Sequence, residues 1–177
     1  MDAESLLGAI GDGDMAALEQ LYRELRVPVY AVALAITADR NLAEDISQEV
    51  FVRVHRHAHT YRPGSRPRAW VLAIARNLAF DVLRRRRREL PAEEPASHET
   101  TGVSFLGDDA TLARLELTAA LLELGVTERQ IVVLHDVAGL THAEIASGLG
   151  LPPGTVRWKY RLALAHLQTT MRGSRHG

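Results

Sequence analysis

Apolar side chains recur every three to four residues along nearly the whole chain, and no segment alternates apolar and polar residues as a strand would. Residues 66–88 show this pattern most clearly. Two adjacent apolar stripes run along one side of the segment, and the other side is polar and ends in the five consecutive arginines 84–88. The sequence therefore predicts an all-α fold in which amphipathic helices bury their apolar sides against one another.

Further helices are predicted on both sides of a break in composition. One runs from Met15 to Ile36, where Pro28 is expected to kink or split it, and another starts at a cap on Asp39 and runs toward His59. Residues 89–109 contain two prolines, two glycines, six acids and no basic residue, which is typical of a flexible linker. The expected organisation is a helical bundle over residues 1–88, a linker over 89–110 and a second helical domain over 111–177.

The near-neutral net charge of −1 conceals a strong segregation of charge. Residues 51–88 hold eleven arginines and one acid, and residues 145–177 hold five basic residues and no acid. Segregated positive charge of this kind favours binding to phosphates, and the sequence therefore indicates a nucleic-acid-binding protein. A solvated helix end whose cations complement the helix dipole is the alternative for the arginine cluster.

A helix-turn-helix is predicted in the C-terminal domain. Thr141 and Glu144 form a Thr-x-x-Glu capping box at the start of a helix. Ala146, Gly150 and Val156 follow at the spacing of a small residue between two helices, a glycine in the turn and a β-branched residue in the core. A helical hairpin with a proline turn is the alternative. The preceding helix, over residues 127–137, is expected to begin with its own Thr127 and Gln130 capping box.

Several classes of function are not expected. The chain has no cysteine, so it has neither a disulfide nor a thiolate metal site, and His55, His57 and His59 lack the other ligands of a tetrahedral metal site. The sequence contains no glycine-rich phosphate loop, GxSxG or HExxH motif. We therefore expect a cytoplasmic protein that is not an enzyme, with no cofactor, no metal, no small-molecule substrate and no membrane insertion.

Three segments together resemble the small extracytoplasmic-function (ECF, group IV) sigma factors of the sigma-70 family. The segment AEDISQEVFVRVHRH is similar to their polymerase-docking helix, and RPRAWVLAIARNLAFDVLRR is similar to their promoter-melting and minus-ten-reading helix. The segment from LGVTERQ to RLALAHL is similar to their C-terminal minus-thirty-five-reading domain. The resemblance implies a helical bundle of the sigma region 2 type and a helix-turn-helix bundle of the sigma region 4 type.

The resemblance also implies roles for individual residues. Phe51 would pack inward, Asn77 would help to hold a base flipped out of the melted strand, and residues 61–67 would form the other wall of that pocket. Trp70 is expected in the core. Residues expected to bind core polymerase are Asp45, Gln48 and Glu49. Residues expected at the minus-ten element are Arg62, Arg66, Arg68, Arg76, Asn77, Arg84, Arg85 and Arg88. Residues expected at the minus-thirty-five element are Thr155, Arg157, Trp158, Lys159, Tyr160 and Arg161.

The function implied is that of a promoter-specificity subunit. Such a protein binds bacterial core RNA polymerase and promoter DNA, recognises both promoter elements, helps to melt the start region, and is controlled by an anti-sigma factor. Two other hypotheses compete with it. One is a free-standing helix-turn-helix regulator whose N-terminal bundle serves dimerisation or ligand sensing, and the other is a protein-interaction adaptor that no longer contacts DNA.

Overall fold

The computed structural model describes residues 2–89 and 112–174, and every regular element in these two ranges is helical. This confirms the predicted all-α fold. The predicted linker, except for Glu89 at the end of a helix, lies outside the described residues. The N-terminal elements are α1 (Ala3–Gly11), α2 (Met15–Thr37), α3 (Arg40–His57), a short 3-10 turn (Ala58–Thr60) and α4 (Pro67–Glu89). The C-terminal elements are α5 (Leu112–Glu123), α6 (Val126–Val132), a π turn (Val133–Val137), α7 (His142–Leu149) and α8 (Pro153–Ser174).

The first three helices each begin at an aspartate that satisfies free backbone N–H groups. Asp2 accepts from the N–H of Ser5 at 2.8 Å, Asp14 accepts from the first turn of α2, and Asp39 accepts from the N–H of Leu42 at 3.1 Å. The predicted cap at Asp39 is therefore confirmed. Helix α1 was not predicted. Its apolar side, formed by Leu6, Leu7 and Ile10, is completely covered by the rest of the bundle.

Pro28 does not split α2, which continues as one helix from Met15 to Thr37. A proline inside a helix removes one backbone hydrogen bond and costs about 3 kcal/mol. Leu21 and Leu25 before the proline and Val29 and Val32 after it are all buried in the same core. Packing on both sides of Pro28 thus holds the two halves in one helix.

The C-terminal half of α2 is buried on every side, since all residues from 31 to 37 are buried. A helix that is buried all round needs neighbours all round. Helices α3 and α4 pack against one part of its surface, and α6 with the following π turn packs against another. The two helical domains are therefore in direct contact through α2.

The helix-turn-helix is confirmed. The Thr141 hydroxyl accepts from the N–H of Glu144, and the Glu144 carboxylate accepts from the N–H of Thr141, so that the capping box is complete. Gly150 ends α7 in the left-handed region with φ +65°, where a glycine is favoured. Val156 and Ala146 are both buried where α7 meets α8.

The predicted capping box at Thr127 and Gln130 is wrong. Helix α6 begins one residue earlier, at Val126, after the extended residue Gly125, and no side chain caps it. Thr127 therefore lies inside the first turn and not at the cap. The Gln130 amide instead donates to the carbonyl of Val126 at 3.2 Å.

Candidate nucleic-acid interface

The outward side of α4 carries an open pocket of about 460 Å³. The polar side of this helix and one aromatic residue line it: Arg76, Asn77, Phe80, Asp81 and Arg84. The opposite side of α4 is held by buried apolar residues such as Val71, Ala75 and Leu78. The amphipathic pattern of the sequence thus fixes which residues face the pocket.

Hydrogen-bond donors converge on this pocket. The guanidinium carbon of Arg76 lies 5.3 Å from the centre of the Phe80 ring, and its Nε atom is buried without a hydrogen-bond partner among the described residues. Arg84 donates to Asp81, and this hydrogen bond is the main reason why the pKa of Asp81 lies below its ordinary value. Asn77 is exposed between them. The pocket therefore combines an aromatic surface with amide and guanidinium donors that suit a base edge or a phosphate.

The loop before α4 is held in a defined shape. The Tyr61 hydroxyl donates to the carbonyl of Ser65 at 2.5 Å, and the N–H of Gly64, with φ +82°, donates to Glu4 of α1 at 2.7 Å. The rings of Tyr61 and Trp70 pack edge to face, with 5.7 Å between their centroids. Trp70 is half-buried against the core, in agreement with the role expected for it. The loop is thus anchored at both ends.

Two arginines of the minus-ten set contact the other domain. Arg62 is exposed on the loop. The Nη1 atom of Arg66 lies 3.1 Å from a carboxylate oxygen of Glu144, and Nη1 of Arg68 donates to the carbonyl of Ala138 at 3.1 Å. In this arrangement the C-terminal domain holds Arg66 and Arg68 beside the start of α7.

The arginine cluster at residues 84–88 lies at the end of α4, with all five side chains exposed. Nη1 of Arg86 lies 3.3 Å from a carboxylate oxygen of Asp39, which ties the end of α4 to the start of α3. Arg84 borders the pocket, and Arg85 and Arg88 follow it on the last turns of the helix. The cluster therefore extends the positive surface of the pocket along α4.

The residues expected to dock on polymerase lie together on α3. Asp45 and Gln48 are exposed, and the half-buried Glu49 accepts from Arg53 at 2.9 Å. Phe51 points the other way into the core, where its ring and that of Tyr22 pack edge to face with 4.9 Å between their centroids. The expected inward packing of this aromatic residue is thus confirmed.

Helix α8 divides the residues expected at the minus-thirty-five element. Arg157, Trp158 and Arg161 are exposed, and Thr155 is half-buried. Leu162, four residues after Trp158, is 48% exposed. These side chains form the outward side of the second helix of the helix-turn-helix.

Lys159 and Tyr160 instead contact their own domain. The Lys159 ammonium lies 2.5 Å from a carboxylate oxygen of Glu128. The Tyr160 hydroxyl donates to Asp136 at 2.9 Å, and burial together with this carboxylate raises the pKa of Tyr160 to about 12. Both side chains therefore hold α8 against the domain in this structure.

Residues 21–89 match the family model described as Sigma-70 region 2, and residues 114–167 match the model described as Sigma-70, region 4. The chain is 30% identical over 160 residues to SigL, an ECF RNA polymerase sigma factor of Mycobacterium tuberculosis, over 89% of this chain and 90% of SigL. The chain belongs to the ECF RNA polymerase sigma factors. Sigma factors are regulatory DNA-binding proteins that bind core RNA polymerase and promoter DNA.

Another relative of this sigma factor is SigE of Mycolicibacterium smegmatis, an ECF RNA polymerase sigma factor. It is 36% identical over 159 residues, which cover 82% of this chain and 59% of SigE. Two solved structures share the fold. CnrH in complex with the cytosolic domain of CnrY has a TM-score of 0.69 at 23% identity and covers 97% of this chain and 99% of CnrH. The sigma factor RpoE of Bartonella quintana, in complex with the anti-sigma factor NepR, has a TM-score of 0.68 at 23% identity, over 87% of this chain and 98% of RpoE.

Two residues of the sigma factor's outward surfaces were missed by the sequence reasoning. Phe80 is apolar but falls in neither apolar stripe of residues 66–88, and this position indicates that it lies on the outward side of the helix, where the pocket is. Leu162 follows Trp158 by one helical turn, a spacing that places both on one side of α8. In residues 2–89 and 112–174, no helix is both long and apolar enough to cross a membrane, and no three metal-ligating side chains converge.

Proposed function

We propose that this sigma factor docks on bacterial core RNA polymerase through α3 and directs initiation at promoters with a minus-ten and a minus-thirty-five element. Asp45, Gln48 and Glu49 would contact the polymerase. The position of these residues supports this role, because they lie on the polar side of a helix whose opposite side is buried in the bundle. A rigid helix presents such side chains in a fixed arrangement, which lowers the entropic cost of binding.

The two domains would divide the promoter between them. Residues 1–88 would read and melt the minus-ten region, residues 89–110 would join the domains, and residues 111–177 would read the minus-thirty-five region. The two Sigma-70 family matches, at residues 21–89 and 114–167, support this division. The two basic blocks of the sequence lie in the same two parts of the chain.

The pocket on α4 is the observation that carries the minus-ten assignment. Its volume of about 460 Å³ falls within the range of about 300–1,000 Å³ typical of ligand sites. Extruding a base from the duplex costs a few kcal/mol. Capture of the extruded base by Asn77 and the neighbouring guanidinium groups would offset that cost, so that the DNA could open without ATP. Arg62, Arg66, Arg68, Arg84, Arg85 and Arg88 would bind the surrounding phosphates.

In the C-terminal domain, α8 would enter the major groove at the minus-thirty-five element. The N-terminal part of the second helix contacts bases in helix-turn-helix proteins. Arg157 and Arg161 face outward there, and an arginine that binds a guanine at two points contributes about 1–3 kcal/mol of discrimination. Lys159 and Tyr160 would reach DNA only after leaving Glu128 and Asp136.

Control by an anti-sigma factor is the regulatory part of the proposal. The similar RpoE chain was solved with the anti-sigma factor NepR. An inhibitor that contacts both helical domains would keep this sigma factor from polymerase. The site of action would be the cytoplasm, where core polymerase transcribes.

In vitro transcription with core RNA polymerase on a fragmented genomic library tests the proposal. The expected result is a set of transcripts whose start sites share one pair of upstream elements. Asn77→Ala is expected to reduce open-complex formation by one to two orders of magnitude, the equivalent of about 1.4–2.8 kcal/mol of lost base capture. Gln168→Ala, at an exposed amide near the end of α8, should have no effect.

Two outcomes would contradict the proposal. One is the absence of any promoter-dependent transcript when the protein is mixed with active core polymerase. The other is a stable homodimer that binds a palindromic duplex tightly without polymerase, which would identify a free-standing helix-turn-helix regulator.

A further inference from the structure

The outward side of α8 carries an apolar pair that the fold does not use. Trp158 and Leu162 are 52% and 48% exposed. The inward side of the same helix already supplies the buried apolar residues Val156, Ala163 and Leu167. A large exposed aromatic residue beside an exposed leucine is unusual on a surface helix that already has a buried apolar side.

Positive charge lies beside this pair. Arg157 and Arg161 are exposed on the neighbouring stripe of the helix, each one residue before a member of the pair, and α8 contains no acidic residue. The nearby carboxylates of Glu128 and Asp136 bind Lys159 and Tyr160 on the inward side of the helix. The surface thus combines an apolar stripe with a cationic stripe next to it. A matching ligand must carry negative charge and exposed apolar groups together.

Duplex DNA meets both requirements in the major groove. The phosphates supply the charge, and the 5-methyl group of thymine is the apolar group that the major groove exposes. Resting on the function proposed above, we propose that Trp158 and Leu162 read thymine methyl groups in the minus-thirty-five element. They would add to the contacts of Arg157 and Arg161 and set a preference for thymine at defined positions.

The spacing and support of the two side chains fit this role. Four residues of helix span about 6 Å, close to two base-pair steps of about 3.4 Å each. Trp158 and Leu162 would therefore contact thymines up to about two base pairs apart. The Lys159 ammonium lies 5.8 Å from the centre of the Trp158 ring and is itself held by Glu128. A ring held in place in this way loses less entropy when it binds.

The test removes single methyl groups from DNA. Core polymerase with this sigma factor is assayed on a promoter selected in the library experiment, with each thymine of the minus-thirty-five element replaced in turn by deoxyuridine. This replacement keeps the base pair and deletes only the 5-methyl group. Open-complex formation at limiting holoenzyme is expected to fall roughly fourfold at the contacted positions, the loss for one buried carbon group.

Protein variants assign the contacts. With Trp158→Ala, removing the methyl group of one thymine should no longer lower open-complex formation. With Leu162→Ala, the same is expected for another thymine, within about two base pairs of the first. Thr169→Ala is the matched control. Thr169 is exposed on the same side of α8, about 17 Å along the helix from Trp158. With Thr169→Ala, removal of each contacted methyl group should lower open-complex formation as much as it does with the wild-type protein.

Three results would overturn this inference. The selected element could prefer no thymine, methyl removal could leave open-complex formation unchanged at every position, or both variants could remain as sensitive as the wild-type protein. The first two results are measured with the wild-type protein, so they can be obtained even if a variant fails to fold. Failure of the proposed function would give a different result, because the holoenzyme would then initiate at no promoter.

Discussion

Replacing Arg68 by methionine together with Glu144 by glutamine is expected to weaken the contact between the two domains of the free sigma factor. The Arg66 guanidinium lies 3.1 Å from the Glu144 carboxylate, and Arg68 donates to the carbonyl of Ala138 at 3.1 Å. Both arginines belong to the set proposed for the minus-ten region. The domains must therefore separate before Arg66 and Arg68 can reach DNA.

The two contacts differ in strength. The Arg66 side chain is 61% exposed, so its ion pair with Glu144 contributes only about 0.2–1 kcal/mol. Burial opposes ionisation of Glu144, but hydrogen bonds from Thr141 and the charge of Arg66 outweigh it and hold the pKa of this carboxyl below its ordinary value. The half-buried hydrogen bond from Arg68 contributes about 1.5–3 kcal/mol because its donor is charged.

Together the two changes should cost roughly 2–4 kcal/mol, which is about a 30- to 900-fold change in the ratio of closed to open molecules. Glutamine can still complete the capping box of α7, so the second domain should keep its fold. The contact of α2 with α6 and the π turn is unchanged. The expected result is therefore a shift of molecules from the closed to the open arrangement of the two domains.

Fluorescence energy transfer between the domains measures this shift. The chain has no cysteine, so cysteines introduced at the exposed positions Glu19 and Gln168 accept dyes at one site in each domain. Transfer should be high in the wild-type protein and fall in the double variant. Glu44→Gln is the matched control, because it breaks the 2.8 Å ion pair with Arg40 inside α3. Equal transfer efficiencies in the wild-type protein and the double variant, with both folded, would refute the reasoning.

Three further predictions concern the C-terminal domain. Thr141→Ala should cost about 1 kcal/mol and lower the thermal midpoint by about 2–8 °C in circular dichroism, whereas Thr141→Ser should restore most of the loss. Burial, followed by the charges of His135 and Arg157, holds the pKa of His142 below its ordinary 6.5, so the unfolded chain binds a proton that the folded chain does not. The free energy of unfolding should therefore fall as the pH drops below 6.5. In urea titrations, the free energy of unfolding of His142→Gln should depend less on pH than that of the wild-type protein. One tyrosine should ionise near pH 12 in an ultraviolet titration, and Tyr160→Phe should remove that transition; a wild-type protein whose tyrosines all ionise near pH 10 would contradict the Asp136 hydrogen bond.

Local features of the sequence determined the helices and the helix-turn-helix. The apolar period over residues 66–88 predicted α4, and the Asp39 cap and the Thr141 capping box were found where they were expected. These features depend on residues three or four positions apart, which the helix itself brings together. Pro28 shows the limit of such reasoning, because the local cost of a proline was outweighed by packing that lies far away in the chain.

Only the tertiary structure decided which outward-facing residues meet another part of the chain. The sequence placed Arg66, Arg68 and Lys159 among the basic residues of two DNA-reading surfaces. The fold then brought Arg66 and Arg68 to the second domain, about seventy residues away, and Lys159 to Glu128. A helical period states which side of a helix is apolar, but the partner of a long charged side chain depends on where other helices lie. That position is set by burial of the whole core, to which distant residues such as those of α2 contribute.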